Sequence, residues 1–254
     1  MIRKSYAKVN IFLKIAGKRD NYHELVSRFV KVPSLYDIIS FDVGKFEDFT
    51  LIGNFGCETK KNTIYKAYEK LKDISPKVKE YFKNYCVIVD KNIPEFAGLG
   101  GGSSNAAIFM LMVNEACSLD FSKDELAKIG VEIGADVPFF IYEYNSANVT
   151  GIGEIVKEFE EEILDFEIIT PKIECNTGEI FSKFREKYYK QIDDELKDKL
   201  LNLKSKEVLS LYNISQANDL FEPAADIYKK LKEFNDKEYF FSGSGSSFFK
   251  VKNG

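Results

Sequence analysis

Pro94-Glu95-Phe96-Ala97-Gly98-Leu99-Gly100-Gly101-Gly102-Ser103-Ser104 is the most informative run in this chain. It follows a short apolar strand, Cys86 to Val89, and leads into SSNAAIFMLMVNEAC, which is apolar on every side and long enough for a buried helix. Glycines let the backbone approach an anion closely, and the first N–H groups of a helix lack intrahelical acceptors, so a glycine run at a helix start suits phosphate. The helix end adds about half a positive charge, worth at most ~2 kcal/mol per favourable contact. Two common phosphate loops do not fit. A Walker A loop needs Lys-Ser or Lys-Thr after its glycines, and here Gly102 precedes Ser103-Ser104. A dinucleotide fingerprint needs its glycines directly after the strand, whereas Lys91 and Pro94 lie between Val89 and Gly98; Asp120, near the ribose position of that fingerprint, is discounted.

Upstream of the loop, residues 5 to 15 alternate as a strand, with Ala7, Val9, Ile11, Leu13 and Ile15 on one face and Lys8 and Asn10 on the other. Lys8 and Asn10 are two residues apart, ~6.6 to 6.8 Å along a strand, and point the same way. Residues 17 to 24 form a turn into a second strand, and Asn62 caps a helix carrying Ile64, Ala67, Tyr68 and Leu71. Downstream, Ser122 and Glu125 make a capping box for a helix with Leu126, Ile129 and Ile133 that ends at Gly134. Ala135-Asp136-Val137-Pro138 follows, then FFIY as a strand, a turn through Gly151 and Gly153, and a strand from Phe166 to Ile169. Lysine-rich helices fill Ile180 to Leu211, and the chain closes with two strands around Gly243-Ser244-Gly245-Ser246. Strands mixed with helices in no regular βαβ alternation indicate an α+β protein. The composition shift places two domains, 1–160 and 161–254.

With 254 residues, 44% hydrophobic, the chain can bury one large core or two modest ones. A net charge of −4 offers no field for a phosphate backbone, so nucleic acid is not an expected partner. The acidic run Lys157 to Glu167 is expected as a solvated turn and strand edge. Four widely spaced cysteines and the single histidine, His23, make no zinc set. Neither a signal peptide nor a spanning helix is evident, which predicts a cytoplasmic protein with reduced thiols and no membrane partner.

The loop Pro94 to Ser104 resembles the second motif of the galactokinase, homoserine kinase, mevalonate kinase and phosphomevalonate kinase (GHMP) superfamily. Within it, Ala7-Lys8-Val9-Asn10-Ile11-Phe12-Leu13 is similar to the AKxNLxL signature of the 4-diphosphocytidyl-2-C-methyl-D-erythritol kinases. Tyr22-His23-Glu24-Leu25 resembles that family's substrate loop, Gly134 to Phe139 its GADVPxF segment and Thr150 to Glu154 its GxGE turn. Asn218 to Pro223 resembles its ND-x-x-x-P segment and Ser242-Gly243-Ser244-Gly245 its third motif. These blocks run in the family's order through nearly the whole chain. Phe96 and Ala97 depart from it, standing where the family usually has glycines.

The resemblance implies a two-domain architecture: an ATP-binding N-terminal domain like the second domain of ribosomal protein S5, a ferredoxin-like C-terminal domain, and an active site in the cleft. It implies ATP-dependent phosphorylation of a hydroxyl on a cytidine-diphosphate-linked methylerythritol, with Asp136 accepting the hydroxyl proton and Lys8 fixing Asp136 and steadying charge. Pro94, Glu95, Phe96, Ala97, Gly98, Leu99, Gly100, Gly101, Gly102, Ser103 and Ser104 would hold ATP, and Ser104 is the candidate ligand for its Mg²⁺. Asn10 would bond the acceptor's hydroxyls, Tyr22 and Phe181 would sandwich the cytosine, His23 would take the base edge, and Thr177 would join the substrate site. Two alternatives stand beside this one: another GHMP-type kinase, of homoserine or mevalonate, whose acceptor carries no base to stack, and a catalytically silent nucleotide-binding protein.

Overall fold

The computed structural model describes residues 1–19, 22–235 and 238–252, and within them helices and sheets are mixed, as an α+β protein requires. The strands are β1 (Ile2–Arg19), β2 (Tyr22–Val43), β3 (Leu51–Gly53), β4 (Tyr85–Asp90), β5 (Ser146–Gly151), β6 (Ile155–Glu158), β7 (Phe166–Ile169), β8 (Phe240–Phe241) and β9 (Phe248–Val251). The helices are α1 (Thr63–Ile74), α2 (Pro76–Tyr81), α3 (Gly101–Ala116), α4 (Lys123–Val131), α5 (Val137–Tyr142), α6 (Thr177–Lys183), α7 (Asp194–Asn202), α8 (Ser205–Leu211), α9 (Ile214–Ala217) and α10 (Phe221–Ile227). Two compact units share the long strands β1 and β2 and interleave along the chain. The tip of the predicted turn at 17 to 24, Asp20 and Asn21, lies outside the described residues.

The first unit comprises Met1–Ala7, Leu35–Glu95 and Gly100–Glu143. In it Ile38 to Val43 of β2 pairs antiparallel with β4, and β3 adds to β4 in parallel. The helices cover that sheet around Phe41, Phe49, Phe82 and Phe109, whose rings meet mostly edge to face. Such pairs add ~0.5 to 1.5 kcal/mol each beyond the area they bury. The side chain of Asn62 accepts from the Ile64 N–H, and Ile64, Ala67, Tyr68 and Leu71 all face the core. Ser122 and Glu125 form the expected capping box. The helix behind it stops at Val131, three residues before Gly134.

FFIY is not a strand; it belongs to α5. Pro138 sits in its first turn, where a missing N–H costs nothing. Val137 and Ile141, one turn apart, both close over Gly130, where a Cβ would lie 2.7 and 2.9 Å from their methyl groups. A short, wholly apolar run has no periodicity to separate helix from strand, and the glycine opposite settles it.

The second unit comprises Lys8–Ser34, Phe96–Leu99 and Tyr144–Gly254. Leu25 to Val30 of β2 pairs antiparallel with β5, β5 with β6, and β7, β9 and β8 make a separate antiparallel sheet. Strand β1 buries both faces rather than one: Lys8, Asn10 and Phe12 are as enclosed as Ala7, Val9 and Ile11. The acidic run is not wholly solvated either. Glu161 is 3% exposed, accepts from Ser146 and Ser205, and lies 4.0 Å from the fully buried Arg28 guanidinium. Burial brings Arg28 down to about 10, with Glu161 opposing the shift, so it stays charged at neutral pH. Its donors go to Asn148 and to the carbonyls of Leu200, Leu201 and Leu203 at the end of α7. A buried charge with this many partners is held, not stranded.

Candidate functional site

In the second unit, residues 96 to 99 of the glycine loop lie against β1 and the turn after β8. Three successive carbonyls are turned inward. Ala97 O accepts from the Ser247 N–H, Leu99 O from the Lys8 N–H, and Gly98 O from both Lys8 Nζ at 2.8 Å and Ser242 Oγ at 2.9 Å. In a planar trans peptide the N–H points opposite to the C=O, so the N–H groups of Gly98, Leu99 and Gly100 turn the other way. That is the geometry an anion cradle needs. Ala97 and Leu99 bury their side chains, while Phe96 is 58% exposed at a φ of 52°.

Gly98 has a φ of +72°, and a Cβ there would meet the carbonyl oxygen of Ser242 at 2.1 Å and the nitrogen of Gly245 at 3.1 Å. Both are backbone atoms and cannot swing aside. The turn they belong to is fixed by Asn218, whose buried Nδ2 donates to the carbonyls of Phe241 and Gly243, both at 2.9 Å. Gly98→Ala therefore combines left-handed strain with a backbone clash and is expected to cost at least ~2 kcal/mol. Differential scanning calorimetry should show this as a thermal midpoint lowered by about 4 to 8 °C, and isothermal titration as weaker ATP binding. An unchanged midpoint would mean that the loop is not pinned there.

Lys8 is 5% exposed, yet its ammonium is well supplied. It donates to Asn10 Oδ1 at 2.6 Å and to Gly98 O, and sits 4.9 Å from the Phe29 ring centroid. Asn10 is 2% exposed; its oxygen accepts from Lys8, and its Nδ2 is the donor it can offer a substrate hydroxyl. His23 is buried and stacks on Phe181 at 5.2 Å and 22°. Its Nε2 is buried with no hydrogen-bond partner among the described residues. Burial pushes the imidazole below its ordinary 6.5, and Arg185 and Lys18 repel the charged form further, so it is neutral at pH 7. Tyr22 beside it is 63% exposed. Thr177, exposed at the start of α6, shares a 2.8 Å hydrogen bond with Ser244.

In the first unit the loop's end becomes α3, which starts at Gly101, two residues before Ser103. Gly100 at a φ of 70° is its cap residue, and no side chain caps the first turn. The helix start is held by Thr63 Oγ1 donating to Gly102 O at 2.6 Å, and Ile93 packs where a Cβ on Gly101 would fall. Ahead of it, Pro94 is exposed and the exposed Glu95 accepts from the Gly56 N–H. Ser104 is 1% exposed and accepts from Ser5 at 2.7 Å, while Ser103 is half-buried. A Cβ on Gly134 would lie 3.4 Å from Ser103 Oγ and 3.5 Å from Asp136 Oδ1, so the hydroxyl and the carboxylate flank one glycine. Asp136 is half-buried and precedes α5 without capping it through its side chain. Its carboxylate is not spent on local structure. Ser5, Ser242, Asn218 and Ser27, which accepts from Asn10 Nδ2, support the site; the sequence shows Ser242 and Asn218 only as members of motifs and gives no signal for the other two.

No described helix is long and apolar enough to cross a membrane. Residues 62–144 match the family model for the GHMP kinase N-terminal domain. A 4-diphosphocytidyl-2-C-methyl-D-erythritol kinase of Sulfurimonas denitrificans is 53% identical over 255 residues, covering 98% of this chain and 96% of that protein. Among solved structures, a 4-(cytidine 5'-diphospho)-2C-methyl-D-erythritol kinase is 26% identical with a TM-score of 0.77, over 100% of this chain and 91% of the other. A mevalonate kinase at 15% identity and a TM-score of 0.68, covering 100% and 91%, shares the fold. With lysine strand, loop and aspartate turn present in this order, the chain belongs to the 4-diphosphocytidyl-2-C-methyl-D-erythritol kinases, within the GHMP kinase family.

Proposed function

We propose that the chain transfers the γ-phosphoryl group of ATP to a hydroxyl of 4-diphosphocytidyl-2-C-methyl-D-erythritol, in the non-mevalonate route to isoprenoid precursors and in the cytoplasm. The observation that carries the acceptor is the aromatic pair His23 and Phe181 next to the exposed Tyr22, with a buried, unsatisfied imidazole nitrogen. A flat base suits that patch, and homoserine and mevalonate carry none. In this reading Tyr22 and Phe181 stack on the cytosine, His23 meets its edge, and Thr177 belongs to the substrate site. Asn10 donates to an acceptor hydroxyl. Residues 94 to 104 hold ATP, Asp136 takes the hydroxyl proton, and Lys8 steadies developing charge. Residues 1–160 form the ATP-binding domain and 161–254 the C-terminal one.

An ordinary Asp has a pKa of ~3.9 and is too weak a base to ionise an alcohol beforehand. It acts by orienting the hydroxyl and taking the proton late in a loose phosphoryl-transfer transition state. Among the described residues no cluster of three or more His, Cys, Asp or Glu could hold a metal ion by itself. Mg²⁺ would be shared with the ATP phosphates and would supply charge neutralisation there; Ser104, the candidate side chain, is 1% exposed and accepts from Ser5, so it would have to be uncovered to reach the ion.

Purified protein incubated with Mg-ATP and either 4-diphosphocytidyl-2-C-methyl-D-erythritol, homoserine or mevalonate, with products identified by mass, tests this reading. The cytidine-linked acceptor should gain one phosphoryl group with kcat/KM at least about a hundredfold above the others. Faster turnover of homoserine or mevalonate would reassign the acceptor, and no ATP consumption with any of them would leave a silent nucleotide binder.

A further inference from the structure

Ser27 has no exposed surface, and none of the roles above uses it. Its hydroxyl donates to the carbonyl of Phe12 at 2.5 Å and accepts from Asn10 Nδ2 at 3.0 Å. Together with the bond from Lys8 Nζ to Asn10 Oδ1, this makes one directed chain: ammonium to amide oxygen, amide nitrogen to hydroxyl, hydroxyl to backbone carbonyl. A hydroxyl has one proton, and a carbonyl can only accept. With that proton committed to Phe12, the Ser27 oxygen is left as an acceptor and admits only the NH₂ end of Asn10. Asn10 must then present its oxygen to Lys8. The reversed amide would set NH₂ against an ammonium and an oxygen against a hydroxyl with no proton to give, inside a buried site where unmet polar groups are costly.

We propose that Ser27 is a positioning residue: by fixing which way the Asn10 amide faces, it holds the Lys8 ammonium in place and so sets the turnover rate without touching substrate. The kinetic part rests on the kinase reading above. Ser27→Ala should lower kcat about ten- to a hundredfold and leave the KM for ATP within twofold. Ser27→Thr, which keeps the hydroxyl, should retain most of kcat. In an Asn10→Ala background, Ser27→Ala should change kcat less than twofold, because the residue it acts through is gone. Equal effects in both backgrounds, or an unchanged kcat in Ser27→Ala, would overturn the proposal. Nuclear magnetic resonance gives a readout independent of activity: the Asn10 side-chain amide protons, assigned by their loss in Asn10→Ala, should be protected from exchange in wild type and exposed to it in Ser27→Ala. If wild type phosphorylates no acceptor, the kinase reading fails and this exchange measurement alone decides on Ser27. Should the alanine variant not fold, Ser27→Cys, whose thiol is a weak donor and acceptor, carries the same comparison.

Discussion

Asp136→Asn is expected to lower kcat by about a thousandfold while ATP affinity stays within a few-fold, since a positioned base contributes about 10² to 10⁴ and its amide cannot take a proton. The substitution is nearly isosteric and removes no helix cap, because the Asp136 side chain makes none. Its neighbours also tolerate it: Gly134 leaves space on one side, and the amide keeps one acceptor oxygen while exchanging the other for an NH₂ donor. The thermal midpoint should therefore move by less than about 2 °C, which separates a lost base from a damaged fold. Steady-state rates with saturating acceptor, ATP titration by calorimetry and a melting curve together decide it. A variant that kept near-normal kcat would show that Asp136 is not the base, and a variant that lost ATP binding equally would place it in the nucleotide site instead.

Local signals carried much of this fold because their physics is local. Asn62 and the Ser122–Glu125 box are recognisable within four residues, and both cap the helices the sequence assigns them. The closing pair of strands around Gly243 to Ser246 is legible for the same reason, short aromatic runs flanking a glycine turn. FFIY was not legible, since what makes it helical is Gly130 on a different helix. The acidic run hid one inward-facing member, Glu161, because the groups it bonds, Ser146 and Ser205, lie 15 and 44 residues away. Lys8 and Asn10 stood out through their motif, but period-2 alternation put them on the open face of a half-buried strand, and β1 turned out to be covered on both sides. Ser27 was invisible: a serine in a strand means nothing until its cross-strand neighbour is known, and here that neighbour is the asparagine that holds the lysine.

Lys8→Met should cost about as much rate as the loss of Asp136. A positive charge ~4 Å from a phosphoryl oxygen at an effective dielectric near 20 gains about 4 kcal/mol before desolvation, which converts to roughly a thousandfold in kcat. Stability should respond differently. Methionine keeps an unbranched apolar stem but gives up the ammonium over the Phe29 ring, and it removes a charge from a site only 5% exposed, so the desolvation it saves offsets the lost bonds to Asn10 and Gly98. Gly98 O retains the Ser242 hydroxyl as a donor, while Asn10 Oδ1 loses the donor it has in Lys8. The melting midpoint should therefore shift by no more than about 4 °C in either direction, while Lys8→Arg, whose planar fork does not match a point donor bridging Gly98 O and Asn10 Oδ1, should not restore the rate. Should Lys8→Met retain more than a tenth of wild-type kcat with its fold intact, the ammonium would be a structural strut between β1 and the glycine loop, and charge stabilisation at the transferring phosphoryl would have to come from elsewhere.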